Sequence, residues 1–179
     1  MMASRSARLF ERVDAYEHRF CQRVNRGLRH PAVRNGFVVV SRLGDGLVWY
    51  LLILLLPVLS GDRGLRPACV MTVTGGVGVG LYKLLKGRLV RERPYITFAG
   101  IHAGTMPLDR YSFPSGHTLH AVSFTVMATA YFPVLGWVLA PLAVLIAASR
   151  VVLGLHYPTD VVAGAVLGAA LAATALSLA

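Results

Sequence analysis

Charged side chains are scarce in this chain: they make up 15% of its 179 residues, where a soluble domain carries about a quarter. That scarcity excludes a water-soluble globule, because too little polar surface is available to cover one of this size. Intrinsic disorder is excluded as well. Disorder goes with low hydrophobicity, whereas 55% of the residues are hydrophobic and the mean hydropathy is +0.60. Cysteine is nearly absent. Cys21 sits in a basic stretch and Cys69 in an apolar run, so a disulfide scaffold has no basis. No apolar core stands directly behind Met1, and a signal peptide is not expected there. What remains is an all-α integral membrane protein with one domain's length of chain.

Acids are the scarcest charges. Eight Asp and Glu face 18 Lys and Arg, for a net charge of +10 and a pI near 10.4. Such a balance fits nucleic acid, an anionic lipid surface or an anionic substrate. Nucleic acid is set aside, because a membrane-embedded chain exposes little surface to it. The positive charge is also localised. Arginines 5, 8, 12, 19, 23, 26, 29 and 34 all fall within residues 1–34. Lys83, Lys86, Arg88, Arg91 and Arg93 crowd into eleven residues.

Residues 1–34 read as a basic amphipathic segment. Leu9, Val13, Tyr16, Phe20, Val24 and Leu28 recur at helical spacing with arginines on the other faces. This predicts a helix lying on the anionic membrane surface; packing against the rest of the protein is the alternative. His30-Pro31 ends it. Residues 35–179 then hold a bundle of about five transmembrane helices. The first covers about 36–60, with Arg42 and Asp45 blurring its start. A charged turn at 61–66 leads to a glycine-rich span over about 67–85. Residues 115–155 carry one charge, Arg150, over a length of about 60 Å as helix, twice the hydrocarbon thickness. They therefore cross and return, turning at Tyr131-Phe132-Pro133 and Gly136. The last span is about 158–178, opened by Pro158.

Counted through, this order brings Lys86, Ser115, Arg150 and Asp160 to one membrane face. Three clusters meet there: Lys86-x6-Arg93-Pro94, Pro114-Ser115-Gly116-His117 and Ser149-Arg150-x5-His156-x3-Asp160. Lys86, Arg93 and Arg150 offer three cations to an anion, and the arginine fork suits phosphate oxygens. A helix continued from Lys86 to Arg93 would set them two turns apart on one face. Ser115 and Gly116 stand where a helix begins, and free N–H groups with the positive dipole end bind anions. Asp160, four residues past His156, can fix that ring's tautomer and raise its basicity for attack on phosphorus. His117 is then placed to protonate a leaving oxygen. Lys83, Arg88, Arg91, Arg63 and Arg66 read as snorkelling anchors. A metal held by His117, His120, His156 and Asp160 is set aside, since three nearby cations would repel it. Neither a metal nor another cofactor is expected. His102, Asp109 and Arg110 lie in the loop between the first two clusters, without an assigned role.

In this order and at these positions, the three clusters resemble the signature of the type 2 phosphatidic acid phosphatase superfamily. That family includes bacterial undecaprenyl pyrophosphate phosphatases, glucose-6-phosphatase and vanadium haloperoxidases. The resemblance runs from about residue 36 to the end, without substitution in the motifs. The small size is similar to that of bacterial members. It implies a membrane phosphatase acting on a lipid phosphate or diphosphate, undecaprenyl pyrophosphate first, with phosphatidic acid and phosphatidylglycerol phosphate as alternatives. It implies His156 as nucleophile, Asp160 as its orienter and His117 as general acid, with Lys86, Arg93, Ser115, Gly116 and Arg150 as phosphate ligands. A silent lipid-phosphate carrier would need the cations but not the histidine pair. Active sites in that family usually face outside the cytoplasm, and the same is expected here in a plasma membrane. The excess of arginine and lysine on the active face points the other way by the positive-inside rule.

Overall fold

A computed structural model describes the backbone of residues 5–107 and 109–179 and the side chains of residues 14–107 and 109–179. Among these residues the fold is all-helical. The helices are α1 (Arg5–Asn25), α2 (Pro31–Leu43), α3 (Leu47–Ser60), α4 (Asp62–Arg88), α5 (Pro94–Thr97), α6 (Gly116–Tyr131), α7 (Gly136–Val152) and α8 (Pro158–Leu178). A short 3-10 turn, Pro133–Leu135, links α6 to α7 where the Pro and Gly punctuation predicts it.

Among the described residues, three helical stretches are long and apolar enough to cross a membrane: Asp62–Arg88, Pro133–Val152 and Pro158–Leu178. The expected first span is two helices, α2 and α3, bent by 46°, and it makes a fourth if the pair is one span. The bend falls at Gly44–Gly46. Gly46 has φ +130°, a conformation that glycine adopts without a Cβ penalty. The expectation of five is therefore not met by length alone. The remaining element, α6, has 16 residues, or about 24 Å of helix against about 30 Å of hydrocarbon. It is instead the central helix, buried on nearly every side, with Leu119, Ala121, Phe124, Met127 and Ala128 in the core.

Helices in lipid gain little from hydrophobic burial against each other, so close packing has to hold them. On α8, Gly164, Gly168 and Ala172 form one buried row. A Cβ at Gly168 would stand 2.3 Å from the Leu119 carbonyl oxygen, so only glycine permits this approach of α8 to α6. The turn expected at 61–66 is shorter than the sequence implies. It closes at Gly61, and α4 starts at once with Asp62 in its first turn, where the helix dipole favours an acid.

Helix α1 presents two different faces. Tyr16 and Phe20, from the expected membrane-facing stripe, are exposed, while Glu17, Cys21 and Asn25 are buried against the bundle. Asn25 Nδ2 donates to the carbonyls of His102 (2.9 Å) and Val152 (3.0 Å), and its Oδ1 accepts from the His102 N–H. Burial pushes the Cys21 thiol up to about 12, so it is an inert packing group. The side chains of Leu9, Val13 and Arg5, Arg8 and Arg12 lie outside the described residues.

Candidate active site

The α2–α3 bend at Gly44–Gly46, α3, α4, the first half of α6, Arg150 of α7, His156 of the α7–α8 turn and the loop residues Arg93 and Asp109 line one cavity of about 650 Å³. Its polar end holds Lys86, Arg93, Asp109, His117, Arg150 and His156. Its walls are apolar and come from Trp49, Ile53 and Leu54 of α3, Met71 and Val79 of α4 and Phe124 of α6. The size is that of an ordinary small-molecule site.

The three expected cations meet here, though not by the expected route. Helix α4 stops at Arg88, so Lys86 and Arg93 do not share a helix face. The chain leaves the helix at Leu89 and is extended at Arg93, because Pro94 disfavours helix in the residue before it and opens α5. That detour turns Arg93 back into the cavity, where it is 1% exposed. Both cations hold the same acid. Lys86 Nζ lies 2.8 and 2.7 Å from the two Asp109 carboxylate oxygens, and Arg93 Nη2 donates to Oδ1 at 2.8 Å. Burial works against the Asp109 carboxylate, yet Lys86 and then Arg93 hold it below its ordinary range. The chain thus sets its own anion in the cation cradle. Arg150 is buried on α7 and donates to the Ser41 hydroxyl, and its Nε has no partner among the described residues. An unpaired buried donor is rare.

His156 lies in the tight turn between α7 and α8 and is 1% exposed. Its Nε2 is 3.2 Å from Arg93 Nη1, which also donates to the Leu155 carbonyl at 2.7 Å. A guanidinium can only donate. Nε2 is therefore the lone-pair nitrogen, and Nδ1 carries the proton of the neutral ring. Burial, then Arg150, Arg93 and Lys86, push the imidazole well below its ordinary value, so it is uncharged at neutral pH. Asp160 faces the protonated side. Its Oδ2 is 3.6 Å from Nδ1, adjacent but not hydrogen-bonded, and accepts instead from the Tyr157 N–H at 2.8 Å. Its Oδ1 accepts from Arg91 Nη1 at 2.7 Å.

His117, in the first turn of α6, also reaches the cavity. Sequence proximity offers it no acid, but the α2–α3 bend delivers one: Asp45 Oδ1 lies 2.5 Å from His117 Nε2. Gly116 lines the cavity beside it. Ser115 does not. Its hydroxyl is fully buried as the N-cap of α6, shared with Thr118, and its N–H donates to the Asp160 carbonyl at 3.1 Å. His120 lines the apolar wall, with Nδ1 donating to the Gly116 carbonyl at 3.1 Å and its ring edge-on to Tyr82 and Phe124. His102 holds α1 through its backbone, and the exposed Arg110 makes a loose pair with Glu92 at 3.7 Å and lies 6.0 Å from the Tyr111 ring centroid.

Among the described residues, no group of three or more His, Cys, Asp or Glu gathers as metal ligands would. Two assignments from sequence change. Asp45 and Asp109, which spacing alone left without a role, contact the histidine and cations of the site. Arg91, read as an anchor, is held between Glu17, Asp160 and the Tyr157 ring. Lys83, Arg88, Arg63 and Arg66 are exposed at helix ends, as anchors are.

Residues 64–179 match the PAP2 superfamily. The chain belongs to that family. A PAP2 relative, the undecaprenyl-diphosphatase of Sulfolobus acidocaldarius, is 30% identical over 139 residues, covering 76% of this chain and 66% of that protein. The decaprenylphosphoryl-5-phosphoribose phosphatase of Mycobacterium tuberculosis is 31% identical over 135 residues, covering 75% and 73%. In three dimensions the chain is similar to LpxE of Aquifex aeolicus, with a TM-score of 0.77 and 25% identity over 89% of this chain and 93% of that one. It is an integral membrane PAP2 lipid phosphatase, a hydrolase of phosphate esters.

Proposed function

We propose that this PAP2 phosphatase cleaves undecaprenyl pyrophosphate through a phosphohistidine on His156. One observation carries the reading: a single cavity has three cations and two imidazoles at one end and apolar helix walls along the rest. The cations take the phosphate, displacing the Asp109 carboxylate from Lys86 and Arg93. The N–H groups of Gly116 and His117, at the start of α6, add to the cradle, with Ser115 capping the Thr118 N–H and fixing that turn. An isoprenoid chain leaves the headgroup along Ile53, Leu54 and Val79.

The reaction runs in two displacements. The Nε2 lone pair of His156 forms the N–P bond as the P–O bond to the leaving phosphate breaks. Asp160 holds the Nδ1 proton, a contact that tightens from 3.6 Å as the ring becomes cationic. His117 gives its proton to the leaving oxygen, and Asp45 keeps that ring oriented. His117, now neutral, accepts a proton from the water that then attacks phosphorus and frees His156. The chain's residues supply nucleophile, acid and charge, so no divalent metal is required.

Phosphate release from a panel of lipids in detergent tests both statements. Undecaprenyl pyrophosphate is expected to be turned over ahead of phosphatidic acid and phosphatidylglycerol phosphate, with full activity in excess EDTA. Preference for a glycerolipid phosphate would move the substrate assignment, and Mg²⁺-dependent recovery from EDTA would sink the metal-free mechanism. The site is proposed to open outside the cytoplasm at the plasma membrane, with the exposed Tyr16 and Phe20 of α1 on the anionic lipid surface. A reporter fused after Ala179 then reads cytoplasm.

A further inference from the structure

Arg91 is placed with more restraint than an anchor at a helix end needs. Its carbonyl accepts from the Ser112 N–H at 2.8 Å and the Ser112 hydroxyl at 3.2 Å, which pins the backbone. Its guanidinium lies over the Tyr157 ring, 3.9 Å from the centroid. The two arms of the fork then point to different acids. Nη2 pairs with Glu17 Oε2 of α1 at 2.6 Å, with the exposed Asp14 further off at 3.7 Å. Nη1 donates to Asp160 Oδ1 at 2.7 Å and to the Thr159 hydroxyl at 2.8 Å. Glu17 uses its other oxygen to accept the Thr159 N–H at 2.8 Å, in the first turn of α8.

Asp160 is 0% exposed, and among the described residues Arg91 is the one lysine or arginine paired with it. A carboxylate so buried stays charged only with a cation on it. Arg91 also engages Oδ1 and leaves Oδ2 toward His156 Nδ1, so it fixes the carboxylate's rotation as well as its charge. Glu17 in turn fixes the plane of the guanidinium. We infer that Glu17 and Arg91 are positioning residues, a relay that sets the Asp160–His156 pair and makes the docking of α1 part of catalysis. The inference rests on the proposed roles of His156 and Asp160.

The test is steady-state kinetics of the full chain in detergent on a lipid phosphate, with inhibition by inorganic phosphate as an independent reading of the cation cradle. Asp160→Asn tests the premise and is expected to lower kcat by about 10²–10⁴-fold, as orienting carboxylates do. Arg91→Met is expected to lower kcat by about 10–100-fold, the usual effect of losing an outer partner of a histidine, with KM and phosphate inhibition within about twofold. Arg91→Lys recovers most of that loss. Glu17→Gln lowers kcat by a smaller factor, and this factor disappears in the Arg91→Met background, because coupled residues are not additive. The relay is overturned if Arg91→Met keeps kcat while Asp160→Asn loses it. It is also overturned if Arg91→Lys is as poor as Arg91→Met, or if Glu17→Gln acts in full without Arg91, which would place its effect at Thr159. Normal turnover by Asp160→Asn removes the premise instead. Should Arg91→Met fail to fold, Glu17→Gln and Arg91→Lys decide: wild-type kcat in both refutes the relay, and loss in Glu17→Gln with KM unchanged supports it.

Discussion

The cavity holds two histidine–aspartate pairs, and they are built in opposite ways. Asp45 and His117 come together from 72 residues apart, in direct contact at 2.5 Å, with the acid side chain 43% exposed. Asp160 and His156 are four residues apart, with 3.6 Å between Oδ2 and Nδ1, and both are essentially sealed from solvent. The difference matches the roles proposed for the two rings. A group that exchanges protons needs access to them and a partner that can follow its charge. A nucleophile needs an uncharged ring, and burial among Arg93, Arg150 and Lys86 keeps His156 uncharged. The same two residue types would thus serve the two proposed steps because their surroundings differ, not their chemistry.

The sharpest way to break this contrast is to delete each ring. His156→Ala is expected to abolish turnover and any covalent phosphoryl-enzyme; acid-quench mapping of labelled phosphate checks it, and label on His117 would exchange the two roles. His117→Ala is expected to slow lipid phosphates by about 10²–10⁴-fold, the span of general acid catalysis. The same variant should spare p-nitrophenyl phosphate, whose leaving group needs no proton. Equal losses on both substrates would remove His117 from the acid role. Asp45→Asn leaves the ring but removes its anion, with an expected loss of about 10–100-fold on lipid substrates and little on p-nitrophenyl phosphate.

The smallest effect is on stability. The folded His156 ring resists protonation, whereas in the unfolded chain it titrates near pH ~6.5. Its neutral burial therefore contributes fully above that pH, and the contribution is lost as pH falls toward the depressed folded value. Between pH ~7.5 and ~5.5, wild type should lose about 2–4 °C more in melting temperature than His156→Gln, which cannot take the proton. Identical pH slopes for the two proteins would show that the ring is not held neutral.

Sequence spacing reached the histidines, the three cations and the helical ends that carry them, because proline, glycine and isolated charge leave local marks in an apolar chain. Lys86-x6-Arg93 shows the limit of such reading. Its spacing implies one helix face, yet the chain leaves the helix at Arg88, and Arg93, extended before Pro94, returns to the cavity. Membrane periodicity was equally incomplete for α6, whose 16 residues are apolar because the helix is central, not because it is full span length.

Composition and local pattern by themselves determined that this chain is a membrane helical protein, and they marked the cations and the histidine pair to which the phosphate chemistry is assigned as a proposal. Tertiary structure alone decided what partners those groups. Asp45 reaches His117 only because α2 and α3 bend at Gly44–Gly46, Asp109 enters the cation cradle from a loop, and Glu17 reaches Asp160 through Arg91 across 143 positions of chain. Local pattern records the conformational preference of neighbours along the chain. Charge pairing is settled by distance and burial in space, and those exist only once the helices have packed.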